Sequence, residues 1–478
     1  MSRVLTIARD EWRQWRRSRL AVAGLAVFAA LLVIVSTLTA LDVSEARHIR
    51  QHQQAEAEET FLNQPDRHPH RMVHYGHYVF RAPAPLALFD PGVDAVTGQS
   101  IFLEGHRQNS AMFADVRAEA RTGGFGALTP AKLYHLILPL LLIALGHAAI
   151  VREREARTLG PLLSQGVGGM TLLVGKATAL AGLIGLLSLP ALIGAIIGVT
   201  TGESVLAALT LYLAHLLYLS VWGVFILLVS IVVQSRGVAL GICLFAWFAT
   251  SLVIPRIGVM TAGAALPMEG KIITDMRIKE DLRKLGDGHN AADPAFAKLR
   301  ANLLAQYDVN TVEELPINFR GAVAQQGEED LTKVLVEYAE RSMASETAQA
   351  DLVARFAWLS PYVAISTASR TIAGTDLATH HRFLREAEAL RYDFVQGLNK
   401  AHVEELDYQT DINRNDGEEG NRRARISAAN WQVLNDFGFT PDPAELRVRR
   451  AGEGLLALLL WFATLFGAGL LAARRLKP

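Results

Sequence analysis

The sequence predicts an all-α polytopic membrane protein, with six transmembrane helices and a mostly helical extracytoplasmic domain. Three observations predict it. The 478 residues are 51% hydrophobic and only 20% charged, and a mean hydropathy of +0.22 is too apolar for an ordinary soluble chain. The apolar residues are segregated into runs long enough to cross a ~30 Å hydrocarbon core at 1.5 Å per residue. The two long polar stretches between runs carry apolar residues at helical spacing.

A formal net charge of zero argues against nucleic-acid binding, which needs a basic excess. Cys243 is the single cysteine, so neither an intrachain disulfide nor a thiol metal cluster can form within one chain.

Taken in order, residues 1–19 place Val4, Ala8, Trp12 and Trp15 near one face, with arginines around the rest. That pattern suits a cytoplasmic amphipathic helix lying among lipid headgroups. Residues 20–41 carry no charge and read as the first span. The run is too long for a signal peptide, and residues 39–41 make a poor cleavage site, so it reads as a retained anchor. Residues 42–132 form a first extracytoplasmic segment, Pro- and Gly-rich around 75–102, where loops with short strands are expected. Residues 133–151 are the second span, and 152–176 a cytoplasmic loop. Residues 177–262 hold spans three to five, at about 177–199, 205–233 and 238–262. Residues 263–453 form the second extracytoplasmic segment. It contains helical stretches at 331–358 and after Thr375 and Asp376, which are candidate N-caps. The sixth span covers 454–473, and 474–478 is a cytoplasmic tail.

Short loops rich in Lys and Arg mark the cytoplasmic side. Arg3, Arg9, Arg13, Arg16, Arg17 and Arg19 precede span one. Arg152, Arg154, Arg157 and Lys176 lie between spans two and three, Arg236 between four and five, and Arg474, Arg475 and Lys477 after six. Six spans put all of them on one side, with both termini inside.

The stretch "AAIVREREARTLGPLLSQG", residues 148–166, is the cytoplasmic loop with room for a structured element. At helical spacing Glu153 can pair with Arg157, and Glu155 stays near Arg152 and Arg154. Leu159, Leu162 and Leu163 then supply an apolar face. The plain alternative is a charged helix end that snorkels to water. The order of residues, "EREARTLGPLLSQG" followed by Gly175-Lys176, resembles the coupling loop of ABC-2 type transporter permeases. The stretches "HYGHYVF", "PLALFDPGV" and "LEGHRQN" after span one are similar to a subgroup with large extracytoplasmic insertions, related to permeases for maturation of multicopper enzymes such as nitrous oxide reductase. The chain departs from the loop pattern at Arg157, where Gly is usual, and at Pro161 inside the short helix.

The resemblance implies a permease of the bacterial inner membrane with a large periplasmic domain. It implies that Arg152, Glu153, Arg154, Glu155, Thr158, Leu159, Leu162 and Leu163 couple the spans to a separate ABC ATPase subunit, itself a dimer holding ATP and Mg. A second permease copy or a paralogue completes the transporter, with membrane lipids around it and no nucleic acid. The chain itself reads as a non-enzyme. Its nearest approach to a P-loop, "GGMTLLVGKAT", has Met170 where the first Gly belongs and Ala177 after the Lys.

A second reading is a membrane-anchored module whose outer domain binds a metal or a protein. "DRHPHRMVHYGHYVF" holds His68, His70, His74 and His77, and His106 follows Glu104. Imidazoles at this density can bind Cu or Zn, with His74, His77 and His106 the candidate ligands; the plain alternative is surface or hydrogen-bonded histidines. His380 and His381 read as surface helix residues. Pro190 and Pro255 are expected to kink helices, and His147 and His215 to make interhelical hydrogen bonds.

Overall fold

A helix satisfies every backbone group internally, which an apolar segment in hydrocarbon requires. The computed structural model of the protein describes residues 3–112, 128–286 and 288–476. Among these residues, six helices are long and apolar enough to cross a membrane, and the fold is all-α apart from one two-stranded sheet.

Helix α1 (Arg3–Arg17) ends at Ser18, whose side chain caps the next helix by accepting from Ala21 N at 3.2 Å. Helix α2 (Arg19–Leu62) holds the first apolar run and continues well past it as a polar helix. Helix α3 (Pro69–Tyr75) follows, then β1 (His77–Phe80) and β2 (Ser100–Leu103), paired antiparallel with His77 opposite Leu103. The expected short strands in this Pro- and Gly-rich region are therefore present. Helix α4 (Pro130–Glu155) leads through a turn into α5 (Leu159–Ser164).

The third apolar run differs from expectation. Helix α6 (Gly169–Leu187) stops at Ser188, and α7 (Leu189–Thr200) begins a separate short helix. Pro190 sits in the first turn of α7, where its missing N–H costs nothing. Helices α8 (Val205–Val232) and α9 (Arg236–Ala265) complete this block. Inside α4 and α9, π turns at Leu133–Ile137 and Ala249–Val253 precede Pro139 and Pro255. A wider turn relieves the clash between each proline ring and the carbonyl four residues back.

The second polar segment contributes α10 (Lys271–Arg283), α11 (Ala297–Tyr307), α12 (Phe319–Ala354), α13 (Pro361–Ala373) and α14 (Leu377–Glu405). Helix α14 starts on Asp376, whose side chain accepts from Thr379 N at 3.0 Å. Short helices α15 (Tyr408–Ile412) and α16 (Ala444–Arg450) lead to the last apolar helix, α17 (Gly452–Arg474).

The helices build two main cores. One joins α1 to the apolar helices and also takes in Val363, Ala364, Ile365, Ala368 and Ile372 of α13. Helix α13, although it belongs to the second polar segment, thus docks that segment onto the bundle. The second core is made by both polar segments together, with Phe61, Met72, Val73, Val79 and Ile101 against Phe383, Phe394, Val395, Leu398 and Trp431. A turn fastens the two segments: Val93 N donates to Thr375 O at 2.9 Å, and Thr375 Oγ1 donates to Asp90 O at 2.9 Å. Gly92 makes this approach with a left-handed φ of 52°, and a Cβ there would lie 2.2 Å from Thr375 O.

The N-terminus, the α4–α5 loop and the C-terminus meet at one end of the bundle. Arg3 bonds Gly166 O, and a Cβ on Gly169 would lie 2.3 Å from Ala473 O.

Candidate functional site

Two clusters stand out, one at each end of the molecule. The first is the charged loop. Its backbone turns at Arg157, which takes a left-handed φ of 59°, a conformation glycine adopts most easily. The position where the chain departs from the resembled pattern is therefore one where the backbone itself favours Gly. Thr158 Oγ1 donates to Glu153 Oε2 at 2.6 Å, and Ser230 Oγ accepts from Ile150 N and Val151 N at 2.9 and 3.1 Å.

The charges pair differently from the helical spacing expected. Glu153 lies 3.6 Å from Lys176 rather than on Arg157. Glu155 accepts from Arg236 N at 2.7 Å and pairs with the same residue's guanidinium. Arg154 donates to Val233 O and to Ile231 O, closing the end of α8. Arg152 reaches Glu11 of α1 at 2.9 Å. Lys176 Nζ meets the same Glu11 oxygen at 2.6 Å, and both side chains are 2% exposed. A Cβ on Gly175 would lie 2.7 Å from Ile7. The Gly175-Lys176 pair therefore lies inside α6, where the Gly admits α1 and the Lys neutralises its buried carboxylate.

The leucines divide. Leu159 is buried in the chain's own core, and Leu163 packs partly against it. Leu162 is partly exposed, between exposed Pro161 and Ser164. Alongside runs a cleft of about 700 Å³ bordered by Arg154, Arg157, Leu159, Gln234, Arg475 and Leu476.

The second cluster is built from histidines. His70 and His74 project from one face of α3, four residues apart, with Nε2 atoms 3.2 Å from each other. His106 joins them because Gly105 lies against Val73: a Cβ there would sit 2.1 Å from Val73 Cγ1, and Gly105 N donates to Val73 O at 3.0 Å. His106 itself has a left-handed φ of 63°. The fourth ring is His289, whose centroid lies 4.8 Å from that of His70 and 4.7 Å from that of His106. One ring nitrogen from each of the four lies within 4.8 Å of the others. Burial, together with His74, His289 and His106, pushes His70 down to about 2. Burial and the neighbouring imidazoles also lower His74.

A carboxylate backs this group. Glu328 Oε2 lies 2.9 Å from His106 Nδ1, and Arg391 holds the other oxygen at 2.5 Å. Burial alone raises the Glu328 carboxyl, but His106 and Arg391 outweigh it and hold the group below the usual carboxylate range.

His77 is not brought to this cluster. Residues of β1 alternate in and out, and His77 points inward with Val79. Its ring meets Phe61 edge-on at 6.0 Å, and burial pushes its imidazole down to about 4. His68 belongs to a separate buried triad. Its Nε2 meets Asp411 Oδ1 at 2.9 Å, and His402 Nε2 meets Oδ2 at 2.8 Å. Burial raises the Asp411 carboxyl, but these two hydrogen bonds outweigh it and hold it well below the usual range. With both Nε2 atoms engaged by one carboxylate, the triad is a lock between α3, α14 and α15. His380 and His381 are buried, not on the surface, and His381 Nε2 meets Glu346 at 2.8 Å.

Within the apolar helices, His215 makes the expected interhelical bond, to His135 Nε2 at 2.9 Å. His147 bonds within its own helix, to Ile143 O at 2.9 Å.

Sequence reasoning missed His289, Glu328 and Glu11. His289 stands alone after Gly288, nearly two hundred residues beyond the others, and only the i, i+4 pair His70/His74 carried a readable ligand spacing.

A family model described as a domain of unknown function (DUF3526) matches residues 271–440, the stretch that supplies His289, Glu328, Arg391, His402 and Asp411. No curated protein matches the chain.

Proposed function

We propose that this chain is the membrane-spanning permease subunit of an ABC-2 type ATP-driven transporter, exporting a substrate or doing mechanical work across the bacterial inner membrane. A separate ATPase dimer binds ATP and Mg. The end that gathers the termini, the α4–α5 loop and the α8–α9 turn is the cytoplasmic one, by its Lys and Arg in short segments. The polar segments then face the periplasm. The apolar faces of the first, fifth and sixth spans, largely unburied within the chain, face lipid and a second permease copy or paralogue.

The single observation that carries this reading is the fastening of the loop. Arg152, Glu153, Arg154 and Glu155 tie it to α1, α6, α8 and α9, while Leu162 and Pro161 stay at its surface. A push on α5 then reaches four helices at once, as a coupling element requires. Leu162 is the anchor toward the ATPase, since a few side chains buried on binding carry most of an interface's energy. The charged residues act by holding the element in position.

Co-purification with the ATPase tests this. Leu162→Asp places a charge in an apolar contact and should release the ATPase while leaving the permease's own melting temperature unchanged. Glu155→Ala frees the loop from Arg236 and should leave the complex assembled with weaker stimulated ATP hydrolysis. Normal co-purification and full hydrolysis with Leu162→Asp would overturn the assignment.

A further inference from the structure

We infer that His70, His74, His106 and His289 form a site for one divalent transition-metal ion of the zinc or copper class, clamping the two polar segments together. The inference does not depend on the permease reading.

The donor set comes first. Four imidazoles with no sulfur suit Zn²⁺ or Cu²⁺ and disfavour Mg²⁺ and Ca²⁺, which take oxygen ligands. A tetrahedral ion ~2.0–2.1 Å from each nitrogen needs nitrogen–nitrogen edges of about 3.3 Å. The His70–His74 edge is already 3.2 Å, and all four nitrogens lie within 4.8 Å. The remaining closure is on the order of 1.5 Å at most by that geometry. His74 and His289 are exposed, so the ion has a path in from solvent.

An imidazole ligates through an unprotonated ring nitrogen. His106 offers the sharpest sign. Its Nδ1 is engaged by Glu328, and its Nε2 is buried with no hydrogen-bond partner among the described residues. Such an orphaned atom is costly unless something accepts its lone pair. A carboxylate on the far nitrogen of a ligand histidine fixes the tautomer and raises its basicity. Glu328 is that positioning residue, itself fixed by the buried Arg391.

The ligands come from three places: α3, the turn after β2, and the loop after α10. His289 lies in the stretch matched by the family model, and the other three lie outside it. An ion here therefore joins parts of the chain that four apolar helices of span length separate in sequence.

The test uses the full chain in detergent, stripped with chelator and titrated with ZnSO₄ or CuSO₄ by calorimetry, with metal content measured after gel filtration. One ion per chain, at micromolar affinity or tighter, and a higher melting temperature are expected. The tighter of the two metals identifies the class. His74→Ala and His289→Ala, both at exposed positions, should each lower affinity by more than about 100-fold, beyond the 10–100-fold typical of outer-shell changes. Glu328→Gln should lower it by about 10–100-fold and alter the visible spectrum of the Co²⁺-loaded protein, which a purely structural role would leave unchanged. His52→Ala, a surface histidine outside the cluster, is the control. A stripped protein with its normal melting temperature that takes up less than one ion overturns the inference. So does wild-type affinity in His74→Ala, or an equal loss in His52→Ala.

Discussion

Replacing Lys176 with Met removes the ammonium that faces Glu11 and leaves a similar volume. Lys176 and Glu11 are each 2% exposed and 2.6 Å apart, so neither recovers full hydration once its partner is gone. Breaking a buried ion pair from one side costs about 3–5 kcal/mol. Arg152 still touches the same Glu11 oxygen, which places Lys176→Met near the lower bound, about 3 kcal/mol. The double variant Lys176→Met/Glu11→Leu removes both charges and should recover most of that, since apolar replacement of a buried pair is often neutral. The expected coupling energy is thus about 2–3 kcal/mol. Thermal unfolding of all four proteins in one detergent measures it. Tryptophan emission reports the local event, because Trp15 bonds Leu145 O at 3.2 Å and leaves its site if α1 lifts. A single-variant cost below about 1 kcal/mol, with an additive double variant, would mean that the pair is solvated and α1 is held by apolar contact alone.

Two further outcomes test how the polar segments are fastened. Asp411→Ala strands two imidazoles and the Asn318 amide in a buried site and should cost about 3–5 kcal/mol, read as a lower melting temperature; a fall of less than about 1 kcal/mol, below the usual cost of one unpaired buried group, would show that the lock is not formed. Gly92→Ala combines a left-handed φ with a Cβ 2.2 Å from Thr375 O, so a loss of about 1–3 kcal/mol and faster proteolysis near residue 92 are expected. Wild-type protease resistance would place this turn away from Thr375.

The six apolar helices were legible because hydrocarbon admits few solutions to backbone hydrogen bonding, and run length alone reveals them. The break at Ser188 was less so: the run 177–199 is apolar throughout, and Pro190 reads equally as a kink or as the first turn of a new helix. The histidines show where local pattern stops. His74 and His77 look alike in sequence, but one lies on a helix and the other on a strand whose two-residue period turns it inward. His380 and His381 sit in a polar-looking stretch and are buried, His380 beside Phe383 and His381 on Glu346. His289 was invisible for another reason. Its partners lie in the other polar segment, and no local spacing encodes a contact made only after the intervening helices pack. Glu11 was hidden likewise, since an acid next to Asp10 among arginines looks solvated until Lys176 is seen opposite it.

Helix α2 has one further consequence. Its 44 residues run ~66 Å at 1.5 Å per residue, from the cap at Ser18 to Phe61 in the outer core. Gln54, 8% exposed, accepts from Phe80 N at 2.8 Å and clasps the sheet to its far half. No loop separates the part in the bundle from the part in the lobe, so the helix is a beam rather than a tether. A 5° change of tilt carries its last ~21 residues through about 3 Å at the tip, at that same rise. The apolar half of α2 and the sheet clasped by its far half are thus two ends of one lever, and small angles at one end arrive as side-chain distances at the other.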